Sequence, residues 1–304
     1  MTYRSSPEPV CDTEAKGRVQ LRIDGRPRNL GGFDVRRVLP SPKRRQVGPF
    51  VFLDHFGPAT LGPEVAMDVR PHPHIHLATL TYLFEGGVMH RDSVGSMQEI
   101  EPGAVNWMHA GRGIVHSERS PERLEGKDKP MHGLQAWVAL PDSAEDSDPF
   151  FQHVPKTAIP TGEGEGHRWT LVAGQLGDAR SPVRAASELL YLVYELDAGA
   201  TLELPDRVAE RALYVVSGTV RCGGEEASAG TLLVLDRGAI RAEATDTARV
   251  ILIGGEPVGE RHIEWNFVSS TKAAIEEAKR QWRDDDTSRF PKVPGDEGER
   301  IPLP

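Results

Sequence analysis

Short apolar runs separated by glycine and proline dominate the chain. The first half contains such runs at residues 48–58 (GPFVFLDHFGP), 78–87 (ATLTYLFEGG), 103–118 (GAVNWMHAGRGIVHSE) and 132–141 (HGLQAWVALP). A second series follows residue 186 and includes ELLYLVYELDAGA, RALYVVSGTVRCGG and RVILIGGEP. The turns leave little room for crossover helices, so the pattern predicts antiparallel sheets closed into a barrel or packed as a sandwich.

The two series are similar enough to be repeats of one unit. The segment LTYLFEGGV…EIEPGAVNWMHAGRGIVHSE aligns with ALYVVSGTV…EASAGTLLVLDRGAIRAE, matching an aromatic-aliphatic strand, two glycine turns and an Arg-Gly pair. The polar, glycine-rich stretch EGEGHRW lies between the series and suits a connection. We therefore predict two β-barrels in tandem, the first over residues 1–160 and the second over residues 161–268.

The last part of the chain, residues 269–304, has a different pattern. It begins with the Ser and Thr residues of SSTKAAIEEAKRQWRDDD, which can cap a helix. The apolar positions that follow share one helical face: Ala274, Ile275, Ala278 and Trp282. The pattern predicts a helix whose apolar face packs on a barrel, followed by an extended tail rich in charge and proline.

Composition supports this picture and excludes some functions. A chain of 304 residues is long enough for two domains of about 150 residues each. Its 31 Gly and 24 Pro residues favour turn-rich β-structure. The net charge of −9 argues against direct nucleic-acid binding, because the only short basic run is SPKRR at residues 41–45. Any role in gene expression would therefore act through a partner protein.

The sequence also gives expectations on location and redox state. The N-terminus has no apolar stretch of signal-peptide length, and no uncharged apolar run approaches about 18 residues, so we expect a cytoplasmic protein without a membrane span. The two cysteines, Cys11 and Cys222, are far apart and form no CxxC spacing. We expect both to be free thiols.

Two strands carry side chains that can bind a metal. His72 and His74 are two residues apart in RPHPHIHL, and His116 and Glu118 have the same spacing in GIVHSER. Residues i and i+2 of a strand share a face, which in a small barrel can be the interior. Three imidazoles and a carboxylate suit Fe(II), Mn, Ni, Cu or Zn rather than Ca or Mg. Four ligands on an octahedral ion would leave two positions open for water or substrate.

The alternative is structural: these residues could be polar groups on a solvated strand face, or histidines that are hydrogen-bonded within the core. The second repeat contains no histidine between His167 and His262, so it has no comparable ligand set. We therefore place the metal site in the first barrel only, and expect the second barrel to pack against it and shape its mouth.

Several distinctive blocks follow one another along the chain: FLDHFGP, PHPH, TYLFEGG, MHRDSVGS, PGAVNWMHAGRGIVHSE and HGLQAWVALP, and then GGEP and the C-terminal helix. In identity and order these blocks resemble the pirin family of the bicupin superfamily. The resemblance implies an all-β fold of two tandem cupin (jelly-roll) barrels with a C-terminal helix. It also implies one metal in the N-terminal barrel, usually taken as iron, with the ligands His72, His74, His116 and Glu118.

The resemblance carries two functions. Several pirins are similar to quercetin 2,3-dioxygenases, which open a flavonol ring with O2 and release carbon monoxide. For this chain the resemblance implies Fe(II) as the metal and a planar polyphenol and O2 as substrates, with Glu118 accepting the 3-hydroxyl proton. Others are regulators that bind transcription factors or metabolic enzymes, so a non-enzymatic, metal-dependent regulator is the alternative. A weaker option, a sugar-phosphate isomerase, needs a cation near the ligands, and its candidates are Arg70, Arg91, Arg112 and Arg119.

This chain departs from the family at some positions. The general cupin pattern has a glutamate where Ala78 and Thr79 stand, so the carboxylate ligand must be Glu118. His76 replaces a common glycine, and His109 replaces a common threonine before the AGRG turn. For each of these two histidines we consider a place beside the cavity, near the metal or substrate, and a structural or solvent-facing role.

Overall fold

The computed structural model describes residues 17–29 and 34–304. Within these ranges the chain forms β-strands, three short 3-10 turns (Glu122–Leu124, Asp142–Ala144 and Lys156–Ala158) and one α-helix, α1 (Lys272–Arg283). The strands of the first half are β1 (Val19–Asp24), β2 (Arg26–Asn29), β3 (Asp34–Leu39), β4 (Phe50–Leu61), β5 (Asp68–His74), β6 (Leu77–Glu85), β7 (Val88–Asp92), β8 (Met97–Ile100), β9 (Val105–His109), β10 (Ile114–Arg119), β11 (Lys129–Ala139) and β12 (Phe150–Val154). Those of the second half are β13 (Thr161–Gly164), β14 (His167–Ala173), β15 (Gln175–Leu176), β16 (Ala179–Arg180), β17 (Leu189–Leu196), β18 (Thr201–Leu204), β19 (Glu210–Ser217), β20 (Thr219–Cys222), β21 (Glu225–Ser228), β22 (Thr231–Leu235), β23 (Ile240–Ala244), β24 (Ala248–Gly255), β25 (His262–Glu264) and β26 (Phe267–Ser269).

Each half of the chain is a two-layer β-sandwich. In the N-terminal half, a seven-stranded sheet (β12-β9-β6-β11-β4-β3-β2) packs on a four-stranded sheet (β5-β10-β7-β8). In the C-terminal half, the sheets are β1-β22-β19-β24-β17-β14-β13 and β18-β23-β20-β21. In the described chain no strand pairing closes either pair of sheets into a continuous barrel. The all-β class with two tandem units and a C-terminal helix is confirmed.

The larger sheets of the two halves pack against each other through the largest apolar cluster. Strand β17 shows how the sequence produces this: Tyr191 and Val193 enter the cluster between the halves, while Leu190 and Leu192 enter the core of the C-terminal sandwich. Because alternate residues of a strand point to opposite faces, a strand buried on both sides must be apolar throughout. This accounts for the unbroken apolar run LLYLVY at residues 189–194.

Strand β1 belongs to the sheet of the other half. It pairs antiparallel with β22, from Val19 opposite Leu235 to Asp24 opposite Thr231. The beginning of the described chain thus extends the C-terminal sheet, although the prediction from sequence assigned it to the first barrel. The boundaries at residues 160 and 268 stay a prediction.

The helix α1 covers the N-terminal sandwich. Its N-cap is Thr271, whose hydroxyl accepts a hydrogen bond from the backbone N–H of Ala274 at 3.3 Å. Its buried face packs in a cluster to which the first half contributes Ile75 and Val115. The other members of this cluster are Phe267, Ile275, Ala278, Trp282, Phe290 and Val293. The tail then returns toward β5, where the N–H of Ile301 donates to the carbonyl of Pro71 at 2.9 Å.

Loss of this helix contact should destabilise the protein. We expect Ile275→Ala to lower the free energy of unfolding by about 2–5 kcal/mol, because it leaves a cavity in a fully buried cluster. Glu276→Ala, on the exposed side of the same helix, should change it by about 0.5 kcal/mol or less. Urea unfolding of the metal-free proteins measures both values, and equal effects would contradict the packing role.

Two sequence expectations concern features outside the site. Within the described residues α1 is the one α-helix, and it is neither long nor apolar enough to cross a membrane. Cys222 is a buried free thiol, and burial raises its pKa to about 11, which disfavours the reactive thiolate. Cys11 lies outside the described residues.

Candidate metal centre

The predicted ligands lie on two paired strands. β5 and β10 are antiparallel, and their register places His116 opposite His72. β5 is the edge strand of its sheet and pairs with β10 alone. Pro71 and Pro73 have no N–H to donate, and an edge strand tolerates this because only one of its sides needs a complete ladder. The register then brings the imidazoles of both strands to one place.

The three imidazoles converge. One ring nitrogen from each of His72, His74 and His116 lies within 4.8 Å of the other two, and all three side chains are buried. Two of the rings are held through Nδ1: His72 by the carbonyl of Arg70 and His74 by the carbonyl of Asn266, both at 2.9 Å. These hydrogen bonds leave Nε2 of both rings available to a ligand.

The electrostatics of the triad match the requirements of a metal. Burial lowers the pKa of His72 to about 4 and lowers those of His74 and His116 well below the ordinary value. The rings are therefore neutral near pH 7, as metal ligands must be. Nε2 of His116 is also buried without a hydrogen-bond partner in the described structure, a costly arrangement that a bound cation would relieve. The triad can hold a metal ion.

Glu118 lies in the same cavity but outside this group of nitrogens. Its Oε1 accepts a hydrogen bond from Nε2 of Gln135 at 3.4 Å, and Oε1 of Gln135 accepts one from the hydroxyl of Thr81 at 2.6 Å. Burial raises the pKa of Glu118 to about 7, and the bond from Gln135 opposes this rise. A carboxylate with such a pKa can accept and release a proton near neutral pH.

A cavity of about 700 Å³ opens onto His72, His74 and Glu118. One part of its lining is a stacked row: Trp137 packs on Phe52, with ring centroids 4.1 Å apart, and the guanidinium of Arg37 lies 4.5 Å from the Phe52 centroid. The remaining lining mixes apolar side chains, such as Met67 and Trp265, with polar ones, such as Thr81 and Asn266. A cavity of this size that combines aromatic walls with polar groups suits a planar organic ligand with polar substituents.

His76 and His109 lie elsewhere. His76 follows the end of β5 with φ +57°, and its Nδ1 lies 3.0 Å from Oγ of Ser269 and 3.2 Å from Oε2 of Glu145. His109 is hydrogen-bonded to Oγ of Ser147 at 2.8 Å, and its ring stacks on Phe150. Neither histidine is among the residues that line the cavity.

Other residues of the site were not identified from the sequence. His90 and Asp92 lie behind His116, and they have the same i, i+2 spacing on a strand from which the ligands were predicted, so the sequence contained a signal for them. Gln135 is a polar residue between the apolar Leu134 and Ala136 of β11, which is a weaker signal. Asn266 contributes only a backbone carbonyl, for which no sequence pattern exists.

The two β-sandwiches and the buried histidine triad of the first define a two-domain cupin with a candidate metal site. The family model Pirin matches residues 32–138, and the model Pirin C-terminal cupin domain matches residues 191–289. The chain belongs to the pirin family.

Known proteins resemble it over most of its length. A pirin-like protein of Caulobacter vibrioides is 48% identical over 290 residues, which cover 94% of this chain and 99% of that protein. A crystal structure of quercetin 2,3-dioxygenase from Acinetobacter baumannii is 36% identical, with a TM-score of 0.87 and coverage of 93% and 94%. A bacterial pirin of Escherichia coli, solved in complex with nickel(II), shares the fold at 21% identity and a TM-score of 0.63, over 78% of this chain and 99% of that one.

Proposed function

We propose that this protein is a metal-dependent dioxygenase that opens flavonols such as quercetin with O2. The observation that carries the proposal is the cavity of about 700 Å³, which opens onto His72 and His74 of the histidine triad and has the stacked pair Phe52 and Trp137 in its wall. The 36% identity to a quercetin 2,3-dioxygenase supports the same substrate class.

The proposed metal ligands are His72, His74, His116 and Glu118, and the proposed metal is Fe(II), with Mn, Ni, Cu and Zn as alternatives. The neutral rings and the unpartnered Nε2 of His116 fit such an ion. When bound, the metal would supply Lewis acidity toward the flavonol oxygen and redox chemistry toward O2.

The side chains of this chain then have separate tasks. Phe52 and Trp137, stacked on each other, form an apolar wall against which the flat ring system packs and which excludes water from that side. Glu118 accepts the proton of the 3-hydroxyl group, which leaves the flavonol as the electron-rich anion. Thr81 fixes the amide of Gln135, and Gln135 in turn orients the carboxylate of Glu118.

The main alternative is a non-enzymatic regulator, in which the metal shapes a surface that a transcription factor or metabolic enzyme recognises. A regulator does not need an open, ligand-sized cavity above the metal, whereas this cavity is open and large. The isomerase option needs a free cation for phosphate. The basic residues that line the cavity are Arg37 and Arg70, and each is paired with a carboxylate, Asp54 and Glu299 respectively.

Oxygen uptake tests the proposal. Protein loaded with Fe(II) under anaerobic conditions should consume one O2 and release one carbon monoxide for each quercetin, with little uptake when quercetin is omitted. Metal-free protein is the control for oxidation of quercetin in solution. Fully loaded protein that consumes no O2 with quercetin would contradict the dioxygenase and favour the regulator.

A further inference from the structure

Three buried side chains form a row behind the metal site. Nδ1 of His116 lies 3.4 Å from Nδ1 of His90, and Nε2 of His90 lies 2.8 Å from Oδ2 of Asp92. His116 is on β10, while His90 and Asp92 are on the neighbouring strand β7. The other carboxylate oxygen, Oδ1 of Asp92, accepts the backbone N–H groups of Val94 at 3.1 Å and Ser96 at 2.9 Å.

The hydrogen bonds of Asp92 set the direction of the others in this row when each ring carries one proton. Both oxygens of the Asp92 side chain accept, Oδ1 from two backbone N–H groups and Oδ2 from Nε2 of His90. Nδ1 of His90 is then an acceptor, and the proton between the two rings belongs to Nδ1 of His116. Nε2 of His116 therefore keeps its lone pair and faces the other imidazoles.

We propose that Asp92, acting through His90, is a positioning residue that fixes the tautomer in which His116 can bind the metal. The proposal rests on the proposed metal site and deepens it. His72 and His74 are held in this tautomer by backbone carbonyls, which can only accept. His116 is the ligand whose tautomer depends on side chains, because an imidazole nitrogen can donate or accept.

Asp92→Asn should reverse the donor and acceptor roles along the row without moving its side chains. The side-chain oxygen of the new amide should keep the place of Oδ1, because two backbone N–H groups point to it. The NH2 group then faces His90 and donates to Nε2, so Nδ1 of His90 becomes the donor to His116. The proton of His116 moves to Nε2, the atom that the metal needs. We expect metal affinity to fall by about 10–100-fold.

A second substitution distinguishes the tautomer effect from loss of structure. His90→Phe keeps a ring against Phe151, on which His90 stacks with ring centroids 4.4 Å apart. A phenyl ring makes no hydrogen bond to either neighbour, so residue 92 can no longer influence the tautomer of His116. We expect Asp92→Asn/His90→Phe to bind metal more tightly than Asp92→Asn alone. A purely structural role of the carboxylate predicts the opposite, since a second core substitution would add to the damage. Asp246→Asn, whose oxygen also accepts a backbone N–H, is the control for loss of one negative charge.

Two measurements decide the question. Competition between each protein and a chelator for Co(II) gives the metal affinity, and ¹⁵N spectra of histidine-labelled, metal-free protein give the tautomer of His116. The proposal expects Nδ1–H in the wild type, Nε2–H in Asp92→Asn, and a partial recovery of affinity in the double variant. Unchanged affinity in Asp92→Asn, or His116 remaining Nδ1–H in it, would overturn the proposal. Failure of the wild type to bind Co(II) would count against the proposed metal function, and the ¹⁵N spectra would then decide the tautomer alone.

Discussion

His74→Ala is expected to abolish both tight metal binding and quercetin-dependent oxygen uptake. His74 is buried at the centre of the site: its ring centroid lies 5.0 Å from those of His72 and His116, and its Nδ1 is fixed by the carbonyl of Asn266. Removing it leaves two of the three imidazoles and a gap in place of the third. The ion would then lose one of its proposed ligands.

Thermal unfolding with and without metal measures this loss independently of activity. A metal that binds only the folded state stabilises it by about 2.7 kcal/mol at a concentration of 100 times Kd. We expect this stabilisation in the wild type and in His167→Ala, a control in the C-terminal sandwich, and little of it in His74→Ala. A His74→Ala protein that still holds one equivalent of metal and consumes O2 with quercetin would show that the site has been assigned to the wrong residues.

The sequence was sufficient for the fold class because the strand pattern is local. The turns recur at short intervals, and strands such as β17 and β19 are apolar on both faces since each face meets a different core. The exchange of β1 into the C-terminal sheet could not be predicted in this way. Two strands separated by more than 200 residues of sequence pair because of tertiary packing, and local sequence patterns do not predict such pairing.

The grouping of His72, His74 and His116 could be predicted for the same reason, since a spacing of two residues on a strand fixes a common face. His76 is an exception to this rule. It lies two residues after His74, so a regular strand would place it on the same face. Its φ of +57° interrupts the strand between β5 and β6 and turns the ring toward Ser269 and Glu145. The contacts from Trp265, Asn266 and Ile301 come from the far end of the chain. The C-terminal segment thus helps to build a site whose proposed metal ligands are all in the N-terminal half.

Glu118→Gln should separate metal binding from turnover. Glutamine has the same shape as glutamate and can still accept the hydrogen bond from Gln135, so the three imidazoles should retain the metal with a lower affinity. It cannot accept the flavonol proton. Loss of a general base typically costs about 10²–10⁴-fold in rate, and we expect kcat for quercetin to fall within this range while KM changes less.

Steady-state oxygen uptake, with the metal content of each sample measured, gives the result. Glu99→Gln is a matched control, because it removes a carboxylate from the same sheet outside the residues that line the cavity. Full metal content with full activity in Glu118→Gln would exclude the role of base. Loss of metal together with activity would instead show that Glu118 acts mainly as a ligand, and the flavonol proton would then need another acceptor. Asp54 is the next carboxylate to test, since it also lines the cavity and burial raises its pKa.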